Sequence, residues 1–229
     1  MKHTIKSLLI ILFLGISTNL FSQVGELRNN FSIGVNGGMN FNKVTFTPNI
    51  QQTTYNGING GISMRYISEK YFAMICGALL EVNYAQRGWE EVIEDGSDNS
   101  YNRTMNYLEI PFLAHLAFGK EQGQGMRFFI HLGPQIAFLL SESESKGGNW
   151  DPAGRFNAQY KMKAHNKFDY GITGGLGAEL RTKAGNFLVE GRYYFGLSDF
   201  YNNSKKDVFS RSAHAIITAK LSYLFDLKK

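Results

Sequence analysis

Eight stretches of the chain alternate apolar with small or polar residues at a period of two, the repeat that sends successive side chains to opposite faces of a β-strand. In the first, Phe31, Ile33, Val35, Met39 and Phe41 alternate with Ser32, Gly34, Asn36, Gly38 and Asn40. The second sets Ile58, Ile62, Met64 and Tyr66 against Asn59, Gly61, Ser63 and Arg65, and the third sets Leu80, Val82 and Tyr84 against Glu81, Asn83 and Arg87. Leu108, Ile110, Phe112, Leu116 and Phe118 then oppose Glu109 and His115. The fifth run is less regular: Phe128, Ile130, Leu132, Ile136 and Phe138 face away from Arg127, His131, Gly133 and Gln135, but Phe129 and Leu139 fall on the polar side. Phe168, Tyr170, Ile172, Leu176 and Leu180 oppose Asp169, Thr173, Gly175, Gly177 and Glu179. The last two runs carry Phe187, Val189, Tyr193, Phe195 and Leu197 against Glu190, Arg192 and Tyr194, and Ala215, Ile217, Leu221, Tyr223 and Phe225 against His214, Thr218, Lys220 and Ser222.

A soluble sandwich or a lipocalin-like barrel alternates too, with its apolar face turned inward. Two features argue for the opposite sense. The polar face is rich in glycine and carries charges of both signs, which suits a narrow polar interior. The connections alternate in length: residues 42–57, 88–104, 141–167 and 198–212 are long, whereas 68–70, 119–125 and 182–185 are short. Outer-membrane barrels have this asymmetry, with short periplasmic turns and long external loops. The expected fold is therefore all-β: an eight-stranded antiparallel up-and-down transmembrane β-barrel. Its first and last strands must pair, because lipid offers an open sheet edge no hydrogen bonds. Tyr66, Phe118, Phe168, Tyr193 and Phe225, near the ends of the apolar faces, are candidates for interfacial girdles.

The N-terminus agrees with an exported protein. Lys2 and Lys6 precede an apolar run from Leu8 to Ile16, the charged and hydrophobic regions of a secretory signal. That run is shorter than the ~20 residues a membrane helix needs. The expected organisation is a cleaved signal over 1–22, a periplasmic lead over 23–30, the barrel over 31–225 and a short tail over 226–229. Cys76 is the only cysteine, so no intramolecular disulfide can form, and its place far from the signal offers no N-terminal lipid attachment. Basic residues are dispersed among acidic ones, without the clustered patch of a nucleic-acid binder.

Specific motifs sharpen the picture: Tyr107-Leu108-Glu109-Ile110-Pro111, Gly133-Pro134, Arg192-Tyr193 followed by Gly196-Leu197, and the terminal Tyr223-Leu224-Phe225. In this order they resemble the PorT-like outer-membrane β-barrel proteins common in Bacteroidota, from about Phe31 to Phe225. The resemblance implies an outer-membrane barrel of a Gram-negative bacterium. One member of that family is associated with protein secretion through the type IX system, while most have no assigned activity. Barrels of this kind commonly end on an aromatic residue; here Phe225 is followed by Asp226, Leu227, Lys228 and Lys229. Pro111, inside the fourth run, removes a ladder donor and predicts a bulge there.

The polar faces bring Arg65, Glu81, Glu109, His131, Asp169, Glu179, Glu190, Arg192 and Lys220 toward one interior. Side chains fill the lumen of an eight-stranded barrel, and buried charges must pair, so these nine residues read as a structural charge network. A gated ion path or narrow pore is the competing reading. Catalysis has less support: His165 and the Ser141-Glu142-Ser143-Glu144-Ser145 stretch are the only Ser/His candidates for a lipid-modifying site, and no Gly-x-Ser-x-Gly elbow occurs. The histidines show no paired metal-ligand spacing. No catalytic residue, cofactor or metal is expected. The expected role is structural, binding or assembly- and secretion-accessory. The expected partners are outer-membrane lipid and another envelope or secretion-system protein, met through the long loops.

Overall fold

The computed structural model describes residues 26–120, 123–154 and 156–228. The expected signal over 1–22 lies outside the described residues. Eight long strands form one antiparallel meander: β1 (Glu26–Thr47), β2 (Tyr55–Tyr71), β3 (Met74–Glu91), β4 (Ser100–Gly119), β5 (Gly125–Gly147), β6 (Phe168–Arg181), β7 (Asn186–Gly196) and β8 (Arg211–Lys228). Each pairs with its sequence neighbours, and β1 pairs with β8 over a register running from Phe31–Lys228 to Thr47–Arg211. The sheet thereby closes on itself and leaves no strand edge facing lipid, where each unsatisfied backbone group would cost several kcal/mol. A two-residue strand, Gln52–Thr53, adds to the outer end of β3.

Outward positions keep the apolar alternation. Val35, Ile62, Leu132, Leu176, Val189 and Leu221 are all more than half exposed on the barrel wall. A continuous apolar band of this kind far exceeds the patch a soluble monomer leaves in water, and it matches the lipid-facing belt of a membrane barrel. Tyr66, Phe118 and Phe225 lie toward the end with the short turns, and Phe168 and Tyr193 toward the other; all five face outward.

The inner face explains the glycines. On β6, a Cβ on Gly175 would stand 2.6 Å from Glu190 Oε1, and one on Gly177 would stand 2.3 Å from the Phe129 ring. Glycine on one wall makes room for the large or charged side chains of the neighbouring strands.

Three expectations change. The bulge expected at Pro111 is absent: the β4–β5 ladder steps from Pro111–Gln135 to Ala114–Leu132 in constant register, and its shift falls at Asn106/Tyr107 instead. Pro111 and Pro134 each fall at a break in a different ladder, at 110–111 between β3 and β4 and at 133–134 between β4 and β5, and the pairs on either side of each break hold the register. The external connections are also shorter than expected, spanning 48–54, 92–99, 148–167 and 197–210. Above the belt both faces of a strand can be polar, so the ladders continue where the alternation fades. The ladder also runs beyond the expected limits of 31 and 225. β1 starts at Glu26, and Asp226 on β8 accepts hydrogen bonds from Ser32 (2.6 Å) and Asn186 (2.8 Å) at the periplasmic end.

Candidate functional site

The interior is organised in layers along the barrel axis. Nearest the periplasmic mouth, Ile67, Ile75, Ala117, Phe129, Leu188 and Leu224 form a buried apolar layer drawn from six strands. Phe129, the residue that spoils the alternation of β5, is a member of this layer. Its ring centroid lies 4.6 Å from that of His131 and 5.6 Å from that of His115.

Above it stand the charges. Arg65 and Glu179 form a two-pronged ion pair (2.9 and 3.0 Å) across the lumen, from strands far apart in the closed sheet. Glu81 accepts from Arg192 (2.7 and 3.1 Å) and from Lys220 (2.5 Å), and Arg192 also reaches Glu190 (2.7 and 2.8 Å). Ser63 and Asn83 donate to Glu81 as well, at 3.2 and 3.0 Å. His131 Nδ1 stands 2.7 Å from Glu190, and His131 Nε2 stands 2.7 Å from His115 Nδ1. A carboxylate can only accept, so His131 donates to Glu190 through Nδ1.

The next layer centres on Arg87. Its guanidinium donates to Glu109 (2.7 Å) and Asp169 (2.6 Å) and lies over the rings of Tyr107 (4.6 Å) and Tyr194 (4.7 Å). Tyr194 Oη and Ser198 Oγ donate to Asp169, the former at 2.6 Å. Between the two charged layers a void of about 20 Å³ remains, lined by Asn40, Asn83, Glu109, Gln135 and Thr173 among others. That is room for about one water.

The structure thus brings Arg65 to Glu179, joins Glu81, His131, Glu190, Arg192 and Lys220 in one cluster, and places Glu109 with Asp169 on a different cation. That cation, Arg87, stands outside the nine-residue set although it shares their face of β3. Its alternation with Val82 and Tyr84 is the signal that could have included it.

The outer end is closed by aromatic residues. Phe46, Trp89, Phe200, Tyr201 and Phe209 are each at most 4 % exposed. Trp89 stacks on Phe200 at 5.7 Å and meets Phe46 edge-on at 5.1 Å, while Tyr201 stacks on Phe209 at 5.3 Å. Three of the five come from the β7–β8 loop, which folds back into the mouth. Phe200 N donates to Ser212 O (3.1 Å), Tyr201 N to Ser212 Oγ (3.0 Å), and Ser212 N to Asp199 (2.6 Å). Burial pushes the Tyr201 hydroxyl above the ordinary phenol range despite Arg103 at 2.5 Å. Out in the same loop, hydrogen bonds from Ser204 hold the Asp207 carboxyl below its usual range.

The long β5–β6 connection is tied down over this lid. Arg103 donates to Glu144 (2.7 Å), Tyr101 Oη donates to the same carboxylate (3.0 Å), and the backbone amides of Lys161 and Ala164 donate to Glu144 (2.8 Å) and Glu142 (3.2 Å). The acids of the Ser141–Ser145 stretch therefore anchor the loop. Ser141 Oγ accepts from Asn106 (2.9 Å), whereas His165 donates through its backbone N to Phe200 O (2.9 Å) and accepts from Asn202 N (3.5 Å). No hydrogen bond joins the His165 ring to these serines among the described residues.

The model of the family described as outer membrane protein beta-barrel domain matches residues 21–202. No curated protein matches the chain. Among solved structures, OprG of Pseudomonas aeruginosa is 10% identical with a TM-score of 0.40, covering 88% of this chain and 98% of its own. Neisserial surface protein A is 12% identical with a TM-score of 0.37, covering 85% and 97%. The attachment invasion locus protein Ail of Yersinia pestis, in complex with the heparin analogue sucrose octasulfate, is 11% identical with a TM-score of 0.35, covering 86% and 100%.

Proposed function

Since the chain belongs to the outer membrane protein beta-barrel domain family, and is an outer-membrane β-barrel protein, we propose that it is a sealed, non-catalytic barrel that displays its outer loops to another envelope protein. The observation that carries this reading is the filled lumen: two charged layers stand between an apolar layer below and an aromatic lid above. A small barrel filled by its own side chains leaves no aqueous channel. Such a lumen supports a structural, binding or assembly-accessory role over a pore.

The nine lumenal residues, with Arg87, act in this reading as a structural plug. Each guanidinium or ammonium answers a carboxylate that could not stay ionised alone in a closed interior. Outer-membrane lipid surrounds the belt, and the N-terminal apolar run serves export and is removed. The PorT-like motifs support a place in that branch of the family in Bacteroidota, and with it an accessory role in secretion. The lipid-modifying alternative has little behind it, because the loop acids and His165 are occupied in anchoring the outer loops.

Photocrosslinkers placed in living cells test the proposal. A probe at Gly154, exposed on the β5–β6 loop, is expected to capture one discrete envelope protein, while a probe at Val35 on the belt captures lipid. Lipid alone from both positions would overturn it, as would hydrolysis or acyl transfer when the folded barrel is supplied with outer-membrane lipids.

A further inference from the structure

The periplasmic end of the lumen is built unlike the outer end. Beneath the apolar layer lies an open cavity of about 880 Å³, in the size range of ligand pockets. Its lining carries five cationic side chains, Arg28, Lys120, Arg127, Arg181 and Lys183, against one carboxylate, Asp226. Part of this charge is answered within the protein: Arg181 meets Asp226 at 3.1 Å and Arg28 meets Glu26 at 2.5 Å. Arg127 is only 5 % exposed, and its Nε donates to Lys120 O at 2.8 Å, which fixes a guanidinium in the wall of the cavity. The floor is apolar, formed by Ile67 and Ile75.

We propose that this mouth binds an acidic, extended peptide segment of a periplasmic protein, with an apolar residue seated on Ile67 and Ile75. The distribution of charge favours a peptide over an amphiphile with one head group. The cations stand at separate places on the rim: Arg28 at the start of β1, Lys120 and Arg127 across the β4–β5 turn, and Arg181 and Lys183 at the β6–β7 turn. A single carboxylate answers one of these groups. A strand-like segment advances ~3.3 Å per residue and turns alternate side chains to opposite sides, so it presents acids to the rim and an apolar side chain to the floor together. The site lies at the opposite end of the barrel from the loops assigned above, so a failure there leaves it standing.

The test uses the full folded barrel in a non-ionic detergent and a fluorescein-labelled peptide of alternating leucine and glutamate, with a leucine–lysine peptide as control. Fluorescence anisotropy is expected to show saturable binding of the acidic peptide only. Binding should weaken as salt shortens the screening length from ~10 Å at 0.1 M to ~3 Å at 1 M. Replacing both exposed lysines, Lys120→Glu with Lys183→Glu, should weaken it about tenfold, a loss of about 1.4 kcal/mol. Lys120→Gln with Lys183→Gln, which adds no repulsion, should give a smaller loss in the same direction. Faster migration before boiling than after it verifies that each variant is folded. No binding, equal binding of both peptides, or indifference to both double variants would overturn the proposal. So would displacement of the peptide by oleate at a lower concentration than by the unlabelled peptide, which would identify the mouth as an amphiphile site.

Discussion

The Arg87 layer and the aromatic lid directly above it fill the same barrel with opposite chemistry. Around Arg87 the buried charges each meet a partner on another strand, between the rings of Tyr107 and Tyr194. In the lid the buried groups are rings, and three of the five come from a loop. Fixed strands can place an ion pair accurately, because register sets every Cα. A loop has no such register, and apolar packing tolerates a less exact fit than a charge-assisted hydrogen bond does. The charged layers therefore depend on the barrel, whereas the lid depends on the loop being held by Ser212 and Asp199.

Perturbing the two regions separately should expose this difference. The largest effect is expected from Arg87→Ala, which leaves Glu109 and Asp169 buried without their cation and should cost about 4 kcal/mol. Urea unfolding of the barrel from lipid vesicles would measure it. Adding Glu109→Gln and Asp169→Asn should recover more than half of that loss, and no recovery would mean that packing rather than charge dominates this layer. In the lid, Phe200→Ala should cost about 3 kcal/mol and make the 197–210 loop protease-sensitive while the barrel stays closed. Full protection of the loop would show that the backbone bonds to Ser212 suffice.

Smaller effects follow where partners are redundant. Arg192→Ala should cost about 2 kcal/mol, less than Arg87→Ala, because Lys220 remains on Glu81 and His131 on Glu190. A loss equal to that of Arg87→Ala in the same urea titration would show that the two charged layers lack this difference in redundancy. Gly175→Ala, which crowds Glu190 and Arg192, should cost about 1 kcal/mol by overpacking. Arg28→Ala, outside both regions and paired with the exposed Glu26, should change unfolding by at most about 0.5 kcal/mol.

Period-two patterning exposes the charged layers because it operates strand by strand. It assigns Glu81, Arg192 and Lys220 to a common face without specifying which of them meet, since pairing depends on where the strands fall around the closed barrel. Arg65 and Glu179 are 114 positions apart, and only closure brings them together. The lid is invisible to the same pattern. Phe200, Tyr201 and Phe209 lie in an aperiodic segment, and Phe129 reads as an irregularity in β5 although it belongs to the periplasmic apolar layer. Pro111 misleads for a related reason: a missing donor is a local fact, while register is set by the whole ladder.

The claim that unites these regions is that the apolar layer, the charges and the rings together block the lumen above its open periplasmic mouth. Single-channel recording of the folded barrel in a planar bilayer tests it most directly. The account predicts a baseline current at every voltage the bilayer itself withstands; a steady, reproducible open conductance would contradict it by revealing a continuous wet path through the layers.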